Sequence, residues 1–223
     1  MKREIEEYYC KLDPKLDEYK HYFSDGIVED IPSKIFLEKR FVSLREFATF
    51  RMGFSVVTKK NCIYLARIIG GEKVLEVMCG LGAYSATLRD CGVDVIATDD
   101  MSWIEGDEKK YRDWKVNSWV SDIIKIDAVD AVRKYGGEVG FVLMSWPPQH
   151  DEIAHNVLLT MRGINPNCKM IYIGEWKGGC TAEEKFFEDA VDISNEIEGI
   201  KELRNSYHVW ENDGYFDKQF ILI

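Results

Sequence analysis

The sequence reads Lys73-Val-Leu-Glu-Val-Met-Cys-Gly-Leu-Gly-Ala-Tyr-Ser-Ala-Thr-Leu-Arg-Asp-Cys-Gly-Val-Asp-Val-Ile-Ala-Thr-Asp-Asp100 across the stretch that decides its fold. A short apolar run ends in a glycine pair, a helical pattern follows up to Gly92, and a second apolar run ends in two acids. This order predicts strand, glycine turn, helix and strand, which is half of a nucleotide-binding βαβ unit. The glycines allow a close approach of backbone to ligand, and the start of the helix offers unpaired N–H groups to polar ligand atoms.

The same stretch resembles motif I and the following acid of class I S-adenosylmethionine (SAM) dependent methyltransferases. That motif reads acid-x-Gly-x-Gly-x-Gly, and Met78 stands at its first glycine position here. The acid after the second strand falls at the spacing that the family uses to hold the two ribose hydroxyls. The resemblance implies that SAM is bound by Glu76, Cys79, Gly80, Gly82 and Asp99.

Two further segments resemble parts of the family that contact SAM. Ile123-Ile-Lys-Ile-Asp127 is similar to the third motif, in which an acid meets the adenine amine, and Asp127 fits that place. Asp122 and Asp130 are alternatives, and each of the three acids can instead cap a helix. Similar methyltransferases place the segment before the sheet over the methionine end of SAM, which makes Arg51 and Phe54 candidates for that contact.

An apolar strand pattern runs directly into Ser145-Trp-Pro-Pro148. Two successive prolines cannot donate to a strand ladder, so they end the strand and fix a rigid rim at its carboxyl end, where doubly wound sheets bind ligands. The run resembles motif IV of amino-group methyltransferases, Asn/Asp-Pro-Pro-aromatic, with Ser145 and Trp146 before the prolines. We therefore expect Ser145, Trp146 and Pro147 to be catalytic, with Ser145 also touching the cofactor, and His150 beside them to be a candidate general base.

The whole chain is predicted to be an α/β protein of 223 residues. The family fold implies a doubly wound, mostly parallel, seven-stranded Rossmann-like sheet that closes on an antiparallel hairpin, with strands at 202–210 and 217–223. Residues 1–60 are interpreted as an N-terminal helical cap and substrate lid, and residues 61–223 as the SAM-binding domain. Two helices interrupted near Gly53 are expected before the sheet, the second capped by Thr58 or Asn61. Thr181 is expected to cap a helix that runs to about residue 197, and residues 101–121 to form a loop and short helix beside the adenosine.

The composition indicates in which compartment the protein works and which kinds of partner it can bind. The chain has 46% hydrophobic residues and no apolar run near the roughly 20 residues that span a bilayer, so no membrane contact is expected. The scattered cysteines, without a Cys-x-x-Cys pair, favour a reducing, cytoplasmic location. Six scattered cysteines predict free thiols, and His150 and His155 do not share a helix face, so no metal site is expected. A net charge of −10 disfavours nucleic acid as a partner, since cationic contacts supply most of that affinity.

The leading hypothesis is a SAM-dependent methyltransferase that moves a methyl group to a nitrogen or oxygen of a small-molecule or protein acceptor. One alternative is a catalytically inactive module that binds SAM or a partner, because Ser145 replaces the acid or amide of motif IV. Another is a nucleic-acid amino-methyltransferase. A nicotinamide-dependent enzyme is a further alternative, although Ser85 stands where a Gly-x-Gly-x-x-Gly motif has its third glycine.

Overall fold

A computed structural model describes residues 7–11, 16–24, 27–37, 42–102, 118–177 and 179–223. Most of the segment expected beside the adenosine, residues 103–117, lies outside the described residues. After helical backbone at 7–11, the helices before the sheet are α1 Leu16–Tyr19, α2 His21–Ser24, α3 Lys34–Leu37, α4 Val42–Met52 and α5 Lys59–Ile69.

The predicted interruption between two helices lies at Gly53, which follows α4 with φ 91°. Of the two candidate caps for α5, Thr58 is the one observed, because its hydroxyl accepts a hydrogen bond from the backbone N–H of Asn61 at 3.2 Å. Gly70 ends this helix in the left-handed conformation that glycine adopts without a Cβ clash.

The remaining elements alternate strands and helices. They are β1 Val74–Val77, α6 Ala83–Asp90, β2 Val95–Asp99, β3 Ile124–Lys125, α7 Ala128–Tyr135, β4 Phe141–Ser145, α8 Ile153–Ile164, β5 Lys169–Gly174, α9 Glu184–Asp189, α10 Ile200–Asn205 and β6 Lys218–Leu222. Short 3₁₀ turns occupy Gly136–Glu138, Ser194–Glu196 and Glu211–Asp213.

The six strands form one sheet in the order β3-β2-β1-β4-β5-β6. Neighbouring strands from β3 to β5 are parallel, and β6 is antiparallel to β5, with Met170 opposite Leu222 and Gly174 opposite Lys218. The doubly wound, mostly parallel α/β fold is confirmed, with six strands among the described residues where seven were expected. The chain builds the sheet outward from β1 to β3 and then returns to β1 to place β4, so the direction of winding changes between β1 and β4.

The predicted closing hairpin is wrong in its first strand. Residues 202–205 are the last four of α10, in which the buried Ile200 and Leu203 are three residues apart, as on one helical face, and residues 206–210 contain no strand. Only the second strand forms, as β6.

The helix expected from Thr181 to about residue 197 is also shorter than predicted. It is α9, which begins after Glu183 and ends at Asp189. The hydroxyl of Thr181 is occupied elsewhere, since it accepts a hydrogen bond from the backbone N–H of Glu175 at 2.8 Å. Beyond α9 the chain turns along the outer side of β6, where Val191 and Ile223 exchange two backbone hydrogen bonds of 3.1 Å.

Two hydrophobic clusters lie on opposite faces of the sheet. The first joins Val74, Leu143 and Ile171 to α5, α6, α10 and the helices before the sheet. The second joins Leu75, Val142 and other alternate strand residues to α7, α8 and α9. The helices before α5 therefore share a core with the sheet, and the expected boundary between residues 60 and 61 falls within α5.

Within the described residues there is no helix long and apolar enough to cross a membrane. All six cysteines are free thiols, of which Cys62 and Cys168 are buried and Cys180 is exposed.

Candidate functional site

A cleft of about 550 Å³ opens at the carboxyl edge of the sheet, where β1, β2 and β4 end. This is the position where the winding direction changes, which is where open α/β sheets bind ligands. Its lining combines the end of α4 and the following turn, the loop after β1, the end of β2, the start of α7 and the loop after β4. Predicted site residues that line it are Glu76, Cys79, Gly80, Asp99, Asp127, Ser145, Trp146 and Phe54.

All three positions of the predicted glycine turn have positive φ: 53° at Met78, 55° at Gly80 and 75° at Gly82. A Cβ built on Gly80 meets no atom within 4 Å, so this glycine faces open space in the cleft. A Cβ on Gly82 would lie 2.6 Å from Cγ2 of Val120. The absence of a side chain at Gly82 thus lets the segment around Val120 pack against the turn. Gly82 is not among the residues that line the cleft.

Asp99 joins the end of β2 to the glycine turn. It is 5% exposed, and its two carboxylate oxygens accept hydrogen bonds from the backbone N–H groups of Gly80 at 2.8 Å and Met101 at 2.6 Å. The neighbouring Asp100 is exposed and also lines the cleft. Asp99 therefore shapes the turn as well as contributing a carboxylate to the site.

Glu76 is a buried carboxyl beneath the cleft. It is 2% exposed, it accepts a hydrogen bond from the hydroxyl of Ser85, and burial raises its pKa to about 7 despite that bond. The nearby carboxylate of Asp99 adds to the increase. A cationic ligand group here would favour the ionised form, because opposite charges stabilise each other most strongly where water is excluded.

Among the three acids considered for the third motif, only Asp127 lines the cleft. It also caps α7, since Oδ1 accepts hydrogen bonds from the backbone N–H groups of Val129 at 2.9 Å and Asp130 at 3.1 Å. Asp122 forms an ion pair with Arg89 at 2.7 Å, and Asp130 forms one with Arg133 at 2.7 Å. Asp127 therefore caps α7 and lines the cleft at the same time.

Ser145 and Trp146 form the rim at the end of β4, as the prolines predicted. The Oγ atoms of Ser145 and Ser55 are 2.7 Å apart, so a hydroxyl pair lies in the lining of the cleft. Trp146 has φ 52°, and its ring stacks on that of Phe54 with centroids 5.3 Å apart and planes at 22°. Its indole Nε1 donates a hydrogen bond to Oδ2 of Asp217 at 3.1 Å.

Three other predicted residues do not line the cleft. His150 is exposed and lines a separate, adjoining cavity of about 810 Å³. Pro147 is buried, and its carbonyl accepts a hydrogen bond from the backbone N–H of Ala182 at 3.1 Å. Arg51 is 3% exposed, with its guanidinium carbon 5.6 Å from the ring centroid of Trp119.

The sequence analysis missed two polar groups of the site. Tyr84 lines the cleft and is 3% exposed, and its hydroxyl has no hydrogen-bond partner of good geometry within the described part of the chain. Asp217 is also 3% exposed and reaches the rim through Trp146. Tyr84 follows the glycine turn by two residues, which is a usable sequence signal, whereas nothing near Asp217 in the sequence points to the site.

No protein-family model matches this chain, and neither does any curated protein. Among solved structures it is similar to the mitomycin 7-O-methyltransferase MmcR, with a TM-score of 0.42 and 13% identity over 69% of this chain and 51% of that one. It is also similar to TrmN from Thermus thermophilus, with a TM-score of 0.41 and 14% identity over 74% of this chain and 48% of that one. An O-methyltransferase family protein from Burkholderia thailandensis gives a TM-score of 0.36 and 13% identity over 77% of this chain and 52% of that one. The chain thus spans about half the length of each of these proteins, and its function has to be inferred from the site itself.

Proposed function

We propose that this protein is a SAM-dependent methyltransferase that acts on a nitrogen or oxygen of a small-molecule or protein acceptor. The observation that supports this most is one cleft at the switch point of the sheet, lined together by the glycine turn and by Glu76, Asp99, Asp127 and Ser145. These residues come from the ends of three strands and the start of α7, and each type suits one part of a sulfonium nucleoside.

The lining residues fit SAM part by part. The carboxyl of Glu76 suits the ammonium group of the methionine moiety, and the open space at Gly80 admits a ligand against the backbone. Asp99 and Asp127 offer carboxylates to the ribose hydroxyls and the adenine amine. The buried hydroxyl of Tyr84 needs a polar partner that a ligand in the cleft would supply, since an unsatisfied buried polar group is costly.

Bound SAM would supply a methyl group that its positive sulfur makes electrophilic. The chain's own contribution is alignment: Ser145 offers a hydroxyl to the incoming nucleophile, and the stacked rings of Trp146 and Phe54 shield one side of the cleft from water. Alignment in a dry site accounts for much of the acceleration of displacement reactions, so a strong base in direct contact with the acceptor is not required.

Calorimetry with SAM tests this function. We expect Asp99→Asn to weaken binding by roughly 1.5–3 kcal/mol, the scale of charge-assisted hydrogen bonds. Asp94→Asn is the matched control, since Asp94 is an exposed acid at the other end of β2 and is not among the residues that line the cleft. Thermal unfolding of both variants is needed as well, because Asp99 holds two backbone N–H groups. Equal SAM affinity in folded Asp99→Asn and wild type would refute the ribose assignment, and tighter binding of a nicotinamide cofactor than of SAM would refute the function.

A second candidate function is a SAM-binding module without catalysis. Ser145 favours it, because a hydroxyl grips a nucleophile less firmly than the acid or amide of motif IV. Transfer of a tritiated methyl group from SAM to a mixed pool of metabolites and proteins separates the two candidates: product formation supports the enzyme, and SAM binding with no product supports the module.

A further inference from the structure

Ser145 stands where motif IV has an acid or amide, and Asp217 supplies a carboxyl elsewhere in the site. Asp217 immediately precedes β6, and this strand is antiparallel to β5. The amino end of β6 therefore lies at the same edge of the sheet as the carboxyl ends of the parallel strands. This orientation brings Asp217, which is 3% exposed, beside the rim residue Trp146, 71 positions away in the sequence.

Hydroxyl groups lie between this carboxyl and the cleft. The Oγ atoms of Ser145 and Ser55 lie 2.7 Å apart, and either one can be the donor. Ser55 also lies close enough to the buried hydroxyls of Tyr84 and Tyr207 to act to lower the pKa of both. The Tyr207 hydroxyl in turn donates a hydrogen bond to Oδ2 of Asp217. Ser145, Ser55 and Tyr207 thus place three hydroxyl groups between the acceptor side of the cleft and a buried carboxylate, with hydrogen bonds at the two ends of the series.

We propose that Asp217 is the final acceptor of the proton that the methyl acceptor loses in this cleft. The proton passes from Ser145 to Ser55 and then through Tyr207, so a distant carboxylate takes the role of the missing motif IV acid. This inference rests on the proposed methyltransferase function. It adds to that function the group that takes up the proton lost by the methyl acceptor.

The step balances without another reactant. A lone pair of the acceptor nitrogen or oxygen forms a bond to the methyl carbon, and the methyl–sulfur bond breaks with its electron pair remaining on sulfur. The acceptor's proton moves to Ser145, each hydroxyl passes on its own proton, and the Asp217 carboxylate becomes a carboxylic acid. Ser145, Ser55 and Tyr207 end the step as neutral hydroxyls.

The surroundings of Asp217 suit a proton acceptor. Burial raises the pKa of its carboxyl above the ordinary value, and the negative charge of Glu175 acts in the same direction. Hydrogen bonds from Tyr207 and Trp146 oppose this and hold the ionised form in place. Tyr84 and Tyr172 also feel the charge of Asp217, but burial raises their pKa values, so both stay neutral while Asp217 titrates.

The first test needs no methyl acceptor. The indole N–H of Trp146 donates to Asp217, so its NMR signal reports protonation of that carboxyl in the full chain. We expect this signal to titrate above the ordinary aspartate range in the wild type and to stop titrating in Asp217→Asn. In Tyr207→Phe the midpoint rises, because a donor to the ionised form is lost, and Ser55→Ala gives a smaller rise. Tyr172→Phe is the matched control, since it removes a buried tyrosine hydroxyl bonded to Thr181 and leaves the midpoint unchanged.

The second test measures methyl transfer from tritiated SAM at saturating concentration, with an acceptor found in the pool assay described above. At saturating SAM, ionisation of Glu76 no longer changes how much SAM is bound. The wild-type rate rises with pH as Asp217 ionises, and Tyr207→Phe and Asp217→Asn lose this rise and about 100-fold in rate, within the range of general-base effects. Their SAM affinity by calorimetry stays within about twofold of wild type, and Tyr172→Phe keeps the wild-type profile.

The outcomes separate the relay from the proposed function. A wild-type protein that binds no SAM refutes the function, while coupled titration of Trp146 still shows that the hydroxyl path is connected. A wild-type protein that binds SAM and methylates, with variants that keep its rate, its pH profile and the Trp146 midpoint, refutes the relay alone.

Discussion

At the scale of single residues, Met78 adopts a backbone conformation that the family's glycine would adopt without strain. Its φ is 53°, and the left-handed region costs a residue with a side chain roughly 1–2 kcal/mol. We expect Met78→Gly to change the free energy of unfolding by less than about 1 kcal/mol, because relieved strain offsets lost packing. Met78→Val should destabilise by about 2 kcal/mol or more, since β-branched residues tolerate this region poorly. Urea unfolding measures both variants, and equal stability of the two would contradict a strained turn.

Glu76 makes stability depend on pH in a direction opposite to that of most carboxyls. Its folded pKa of about 7 lies above the reference value of 4.5, so the folded state binds the extra proton between these values. The stabilisation is complete below the reference pKa and is lost as pH rises through about 7, for a total of up to about 3 kcal/mol.

We therefore expect Glu76→Gln to be more stable than wild type at pH 8 and close to it at pH 5, as measured by urea unfolding at both values. Glu72→Gln, at an exposed acid nearby, is the control that should follow wild type at both pH values. A Glu76→Gln variant less stable than wild type at pH 8 would show that this glutamate stays ionised at no cost.

The parts of the site that the sequence predicted are those whose neighbours are close in the chain. Gly80 and Asp99 reach the cleft because turn and strand lengths are local properties of one βαβ unit. Gly82 was assigned to the ligand as a glycine of motif I, and its contact with Val120 was not predicted because it depends on how a later segment folds back. Asp217 was missed for the same reason: its place at the rim follows from the pairing of β6 with β5, which no local pattern encodes.

At the scale of elements, Asp127 connects the stability of α7 with ligand binding. Loss of a capping carboxylate costs about 1 kcal/mol, so we expect Asp127→Ala to lose that much stability and to weaken SAM binding as well. Asp130→Ala is the control in the same helix, because its carboxylate lies outside the cleft and pairs with Arg133. Thermal unfolding and calorimetry measure the two effects, and an Asp127→Ala variant that loses stability but keeps SAM affinity would limit this residue to capping.

The wrong strand prediction at 202–210 shows where pattern reading fails at this scale. The segment was read as a strand by analogy with a closing hairpin, although Leu203 follows the buried Ile200 by three residues, a helical spacing, and α10 continues to Asn205. The core strands were predicted correctly because strands buried on both faces form nearly continuous apolar runs. Near the C-terminus the expected closing hairpin decided the prediction, and the helical spacing of Ile200 and Leu203 was not considered.

At the scale of the whole molecule, the net charge of −10 opposes binding of a phosphate backbone. Two basic residues before the sheet already have partners: Lys60 pairs with Asp30 at 2.7 Å, and the guanidinium of Arg45 lies 3.7 Å from the ring centroid of Tyr215. We expect duplex DNA or RNA to bind no more tightly than non-specific complexes do, at roughly 10⁻⁴–10⁻⁶ M in physiological salt. Fluorescence anisotropy at about 50 and 200 mM salt measures this, and tight binding that falls steeply with salt would favour a nucleic-acid acceptor.

Trp119 ties the segment before the sheet to the glycine turn. Its backbone N–H donates to the carbonyl of Leu81 at 2.8 Å, and its indole N–H donates to the carbonyl of Arg51 at 2.7 Å. If the turn at 49–55 has to move aside before a nucleoside can leave the cleft, the indole bond has to break first. Trp119 would then control residence time more than equilibrium affinity, and in a methyltransferase that releases its product slowly, it would set the rate of turnover.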